Sequence, residues 1–238
     1  MLEILYRDDH LVAVHKPAGL LVHRSDLDRH ETRFAVQLLR DQIGRHVHPV
    51  HRLDKGTSGV LLFALDAGSA SIVGGQFERD EVAKRYLAIV RGWPPESGLI
   101  DHALSRRFDD YGRKLAPEDR PRPLAAITAF RRLGIVEIAE QVERYPHSRY
   151  ALLELAPKTG RQHQLRRHLK HIAHPIIGDA TWDKGVHNRF FQQRFGSNRL
   201  LLTCTRLELR HPCSDTTIAI EAHPAPSFTS VARALGWD

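Results

Sequence analysis

The chain alternates short apolar runs with polar connections. LEILY at 2–6, LVAV at 11–14, VLLFAL at 60–65, RYLAIV at 85–90, AITAF at 126–130, YALLEL at 150–155 and RLLLTCTRLEL at 199–209 have the length and composition of β-strands. Helical spacing is rarer, in FAVQLLRDQI at 34–43, GSASIVGGQFERD at 68–80, RQHQLRRHLKHIA at 161–173 and FTSVARALG at 228–236. Strands outnumber helices without alternating regularly with them. The pattern predicts an α+β fold, with helices packed on a mixed, mostly antiparallel β-sheet, over a doubly wound parallel sheet. Polar connections fall at 23–33, 105–123 and 183–198. None reads as a domain linker and no repeat is visible, so one domain over 1–238 is expected.

Composition adds a partner class. Of 238 residues, 42% are apolar and 26% charged, which excludes wholesale disorder, and 35 Lys and Arg against 28 Asp and Glu leave a net charge of +7. A polyanionic partner is favoured, although charge alone does not establish one. The connections at 105–123 and 183–198 interleave cations with Phe108, Tyr111, Phe190, Phe191 and Phe195. Such segments can grip a phosphate backbone and stack on bases, or the rings can simply anchor long loops to the core. Cys204 and Cys213 are too few for a disulfide framework, which fits a reducing, cytoplasmic compartment. No apolar run approaches the roughly 20 residues that span a bilayer, and the N-terminus lacks the form of a signal peptide.

The densest chemistry lies in HRLDKGTSG at 51–59. A turn there runs into an apolar strand, and Gly56 and Gly59 permit close backbone approach, so Asp54 can be held rigidly. Three readings compete: a structural ion pair, a hydrolase or metal site, and a nucleophile or acid–base group facing an anionic substrate. A desolvated carboxylate needs a cation. LAPKTGRQHQLRRHL reads as strand, turn and helix; Leu165, Leu169, Ile172 and Ala173 share one face, Arg161 and Arg166 its edges, and His163, Arg167, Lys170 and His174 the side left for water or phosphates. Arg166 can therefore reach inward to pair with Asp54. In KRYLAIVRG, Lys84, Tyr86 and Ala88 share one strand face, from which Tyr86 can stack on a base.

Other chemistries lack their signatures. GTSGV misses the last glycine of the nucleophile elbow, and His168, His171 and His174 drift around a helix without an acidic ligand, so phosphate contact or solvation is expected of them. No Walker loop or dinucleotide fingerprint appears. No metal and no cofactor is expected.

HRLDKGTSG, KRYLAIV and LLELAPKTGRQHQLRRHLKHIAHPIIGD, in that order, together with ILYRDDHLVAVHKPAGLLVH at the N-terminus, resemble the pseudouridine synthases of the RluA family. The resemblance covers nearly the whole chain and implies that family's fold, with a basic RNA-binding cleft. It implies isomerisation of uridine to pseudouridine within RNA, with Asp54 as the catalytic carboxylate, Tyr86 on the target base and Arg166 paired with Asp54. Arg52 would displace the flipped nucleotide, Arg161 would contact RNA, and Leu202 would pack beneath the base. The opening MLEILY…LVHRS…LDR is most like a member that modifies uridine-65 of tRNA, which makes tRNA the expected partner of a monomeric enzyme. Ribosomal RNA is the alternative, and a non-catalytic RNA-binding module a more distant one. Thr203-Cys204 stands where the family commonly has His-Ala, and HKP at 15–17 where it has Asn-Lys-Pro.

Overall fold

The computed structural model describes residues 1–23, 31–109, 113–183, 185–214 and 216–237. The connection at 23–33 falls largely, and Tyr111 wholly, outside these residues. The strands are β1 (Glu3–Arg7), β2 (Leu11–Lys16), β3 (His48–Pro49), β4 (Ser58–Ala64), β5 (Ala83–Arg91), β6 (Ser97–Asp101), β7 (Ile127–Ile138), β8 (Ser148–Pro157), β9 (Leu202–Arg210) and β10 (Thr217–Glu221). All belong to one sheet of order β1-β2-β4-β9-β5-β8-β7-β6, with β3 beside β4 and β10 beside β9. The α+β expectation holds.

Only the β4–β9 pairing among these is parallel, and it is short, matching Ser58 to Thr203 and Gly59 to Cys204. At this seam Gly59 has φ +106°, and a Cβ on it would lie 1.9 Å from the Cys204 carbonyl oxygen, so the approach requires glycine.

The helices are α1 (Ala35–Ile43), α2 (Ala67–Glu78), α3 (Gln164–His171), α4 (Gly185–Phe195) and α5 (Pro226–Ala234). Asp66 caps α2, its carboxylate accepting the Ser69 N–H at 2.8 Å. On one face of the sheet Leu165 and Leu169 of α3 pack with Ala88, Val90, Leu153 and Leu155. On the other, Phe191 of α4 and Phe228 and Val231 of α5 pack with Ile89, Tyr150 and Leu201. The odd–even alternation of β5 thus serves two cores.

Two expectations need correction. The segment 183–198, expected as a loop, holds α4: it has no apolar stripe, but Phe190 and Phe191 pack on Tyr150 and Phe195 packs on both of them, so tertiary packing secures the helix. Its rings anchor to the core. The helix expected at 161–173 begins only at Gln164, whose side chain accepts the Arg161 N–H and the Thr159 hydroxyl and donates to the Ile127 carbonyl, fixing a turn in front of it. Short edge segments β3, β6 and β10 were not anticipated.

Candidate active site at the seam of the sheet

Residues 50–57 form the connection between β3 and β4 that delivers Asp54 to the seam. His51 pins it from inside: its ring stacks on Phe77 at 4.5 Å and its Nε2 accepts the Leu62 N–H at 3.0 Å. Burial, aided by the Lys84 charge, lowers its pKa to about 3, so it stays neutral. The Asp54 carbonyl accepts the Thr57 N–H at 3.0 Å, and Gly56 lies against Leu200. The Ser58 hydroxyl accepts a hydrogen bond from Arg199 at 2.7 Å.

A buried lysine holds the same turn from beneath. Lys16 Nζ donates to the carbonyls of Pro17, Leu20 and Lys55 at 3.0, 2.6 and 3.2 Å. Burial lowers its pKa to about 7, against the pull of Asp54.

Arg166 reaches inward from α3. Its Nη1 donates to Asp54 Oδ2 at 3.0 Å, while its Nε and Nη2 fork onto Asp179 Oδ2 and Oδ1 at 2.7 and 2.8 Å. Asp179 is buried and its Oδ1 also accepts the backbone N–H groups of Thr181 and Trp182. Burial disfavours the Arg166 cation, but the hydrogen bonds to Asp179 and the charges of both carboxylates outweigh it and raise its pKa. The guanidinium thus stays charged, with its fork spent on Asp179 and one nitrogen left for Asp54. The Asp54 side chain remains 32% exposed. A carboxylate so held offers one oxygen to a ligand while the other stays fixed.

Asp54, Arg166, Tyr86, Arg52, Arg161 and Leu202, the six residues singled out above, all line one open cavity of about 780 Å³. Tyr86 and Leu202 come from neighbouring strands β5 and β9. Burial, then contact with the Cys204 thiol and the charge of Asp54, raises the Tyr86 pKa well above its ordinary value, so the phenol is a neutral hydrogen-bonding group. Arg52 is exposed at the rim. Arg161 donates from Nε to the Ala125 carbonyl and faces Asp80 at 3.5 Å.

The side of α3 expected to face solvent does not do so throughout. Arg167 donates to the Ser105 carbonyl at 2.8 Å, and His168 is fully buried between the Thr128 hydroxyl and the His102 carbonyl, each at 3.0 Å. His171 stacks on His102, and His174 bonds the Arg91 carbonyl. The reason is the segment from His102 onward, which folds across the helix. Asp179 and Trp182 were not anticipated; an aspartate after a glycine and a lone tryptophan carry no periodic signal.

A family profile described as RNA pseudouridylate synthase matches residues 10–171, more than half of the chain. The chain belongs to the RNA pseudouridylate synthase family. As such a synthase it is an isomerase. It is similar to tRNA pseudouridine synthase C of Vibrio cholerae, 48% identical over 237 residues, covering 100% of this chain and 97% of that protein. It is equally similar to the tRNA pseudouridine synthase C of Pasteurella multocida, 48% identical with the same coverage. The human protein RNA Pseudouridylate Synthase Domain Containing 1 shares the fold, with a TM-score of 0.72 over 99% of this chain and 95% of that one at 24% identity. The matched segment of the synthase contains Asp54, Tyr86 and Arg166 but ends before Asp179, Trp182 and Leu202. No helix among the described residues is long and apolar enough to cross a membrane.

Proposed function

We propose that the synthase converts uridine to pseudouridine in tRNA, with uridine-65 as its target and Asp54 as the reacting carboxylate. The observation that carries this reading is the 3.0 Å Arg166–Asp54 pair at an open cavity, in a chain 48% identical over its length to tRNA pseudouridine synthase C. A paired uridine hides its glycosidic bond, so the nucleotide flips out, at a cost of a few kcal/mol that backbone contacts offset. Arg52 at the rim fills the space it leaves, and Arg161 and Lys84 supply positive charge along the cavity. Asp54 attacks C1′ or takes a sugar proton; the bond from N1 to C1′ breaks and the uracil turns; C5 joins C1′ as the Asp54–C1′ bond breaks or the sugar proton is returned, and C5 then loses a proton while N1 gains one. The sum is redox-neutral and calls for no cofactor. Leu202 supports the base from below and Tyr86 contacts it with a neutral hydroxyl, so Tyr86→Phe keeps base contact and slows a step that uses that hydroxyl.

Two free cysteines support a cytoplasmic setting. The test is to incubate the protein with unmodified tRNA transcript and with ribosomal RNA, and to map pseudouridine by carbodiimide-dependent primer extension. A new stop at position 65 of tRNA is expected. Product on ribosomal RNA alone would overturn the substrate; no product on either, with tight binding, would favour a binding module.

A further inference from the structure

One imidazole at the site is oriented by a group that no other step uses. His163 precedes α3 with φ +53°, a left-handed conformation that a non-glycine residue adopts only when its surroundings hold it. That backbone twist carries its ring between Asp54 and Trp182. Trp182 Nε1 donates to His163 Nδ1 at 3.2 Å, and indole nitrogen can only donate, so Nδ1 must be the acceptor and the proton sits on Nε2. His163 Nε2 faces Asp54 Oδ1 at 3.9 Å, the oxygen that Arg166 does not hold. The distance is too long for a direct hydrogen bond and within reach of one bridging water or a small closure on substrate.

We propose that His163, locked by Trp182 as the neutral Nε2–H tautomer, is the positioning residue that orients Asp54 Oδ1 toward the bound nucleotide. This rests on the reading of Asp54 as the reacting group. Burial, with the charges of Arg166 and Arg167, lowers the pKa of the ring against the pull of the two carboxylates that face it, Asp54 and Asp179. Protonation would also set two N–H donors against each other at Nδ1. Arg107 and Arg167 cover the indole at 5.2 and 5.4 Å, and Phe108 packs on His163 at 5.4 Å, which fixes the donor in place. An imidazolium at this position would draw Oδ1 into a second ion pair and blunt it as a nucleophile or base.

Trp182→Phe keeps the ring and deletes the donor. We expect the His163 pKa, followed by ¹⁵N NMR in the free protein, to rise by about one unit, and turnover on the acid limb of the kcat profile to fall about tenfold with KM unchanged. His163→Gln, which retains an N–H near the Nε2 position and does not titrate, should keep measurable turnover and lose that limb. A His163 titration in Trp182→Phe identical to wild type, or a kcat profile unmoved in both variants, would overturn the proposal. Because the NMR titration needs no RNA, an inactive wild-type protein would count against the assigned reaction, while the tautomer lock would still be decided.

Discussion

Two concavities lie on opposite faces of β5, and both are made from arginines and carboxylates. On the face of Ala83, Arg85 and Leu87, Arg85 and Arg131 share Glu154 at 3.1 and 3.3 Å, and Arg206 bridges Glu208 and Glu221. On the face of Lys84 and Tyr86, Arg166 joins Asp54 and Asp179. Composition does not distinguish them; burial does. The Arg85 and Arg131 side chains are 52% and 66% exposed, whereas Arg166 is 11% exposed and Asp179 wholly buried. Exposed pairs are screened and contribute little. A buried pair costs much to assemble and more to break, so it specifies geometry. The chemistry belongs with the second.

The contrast can be broken most severely at its buried cation. Arg166→Met leaves Asp179 charged and buried with only backbone donors, and should cost about 3–5 kcal/mol in urea unfolding as well as abolishing turnover. Arg85→Met, the counterpart on the other face, should stay within about 0.5 kcal/mol. Equal losses would erase the distinction. Lys16→Met removes the donor of three carbonyls beneath the Asp54 turn; a loss of about 1–3 kcal/mol with depressed turnover is expected, and turnover at the wild-type rate would show that the turn holds itself.

A pH series sharpens the same point. His51 is neutral when folded down to about pH 3, against an ordinary value of 6.5, so between those limits the unfolded chain binds more protons. The group's contribution is fully present above pH 6.5 and is lost as pH falls toward 3. Denaturation midpoints of the wild type should decline over that window, and His51→Gln should decline less. The smallest effect is expected at Glu154→Gln, with stability within about 0.5 kcal/mol and turnover unchanged at any salt concentration.

How much of this was legible beforehand follows the same division. Continuous apolar runs such as VLLFAL mark strands buried on both faces, and the order of HRLD, KRY and GRQHQLR brought Asp54, Tyr86 and Arg166 into one argument before any geometry. Motifs name residues close in sequence or fixed in spacing. Asp179 follows Arg166 by a loop whose course depends on the sheet, and the burial of Arg167 and His168 depends on a segment returning from His102, so neither can be read from helical periodicity. The helix α4 was hidden because a few aromatic rings on Tyr150, and no stripe, secure it.

The central claim is that Asp54, held by Arg166, is the reacting group and not a structural ion. It is tested most directly by single-turnover pseudouridine formation and RNA affinity measured together for Asp54→Asn, which preserves shape and one acceptor oxygen and removes the charge. The account predicts RNA affinity within a few-fold of wild type and no detectable product. Product formation at an appreciable fraction of the wild-type rate would contradict it.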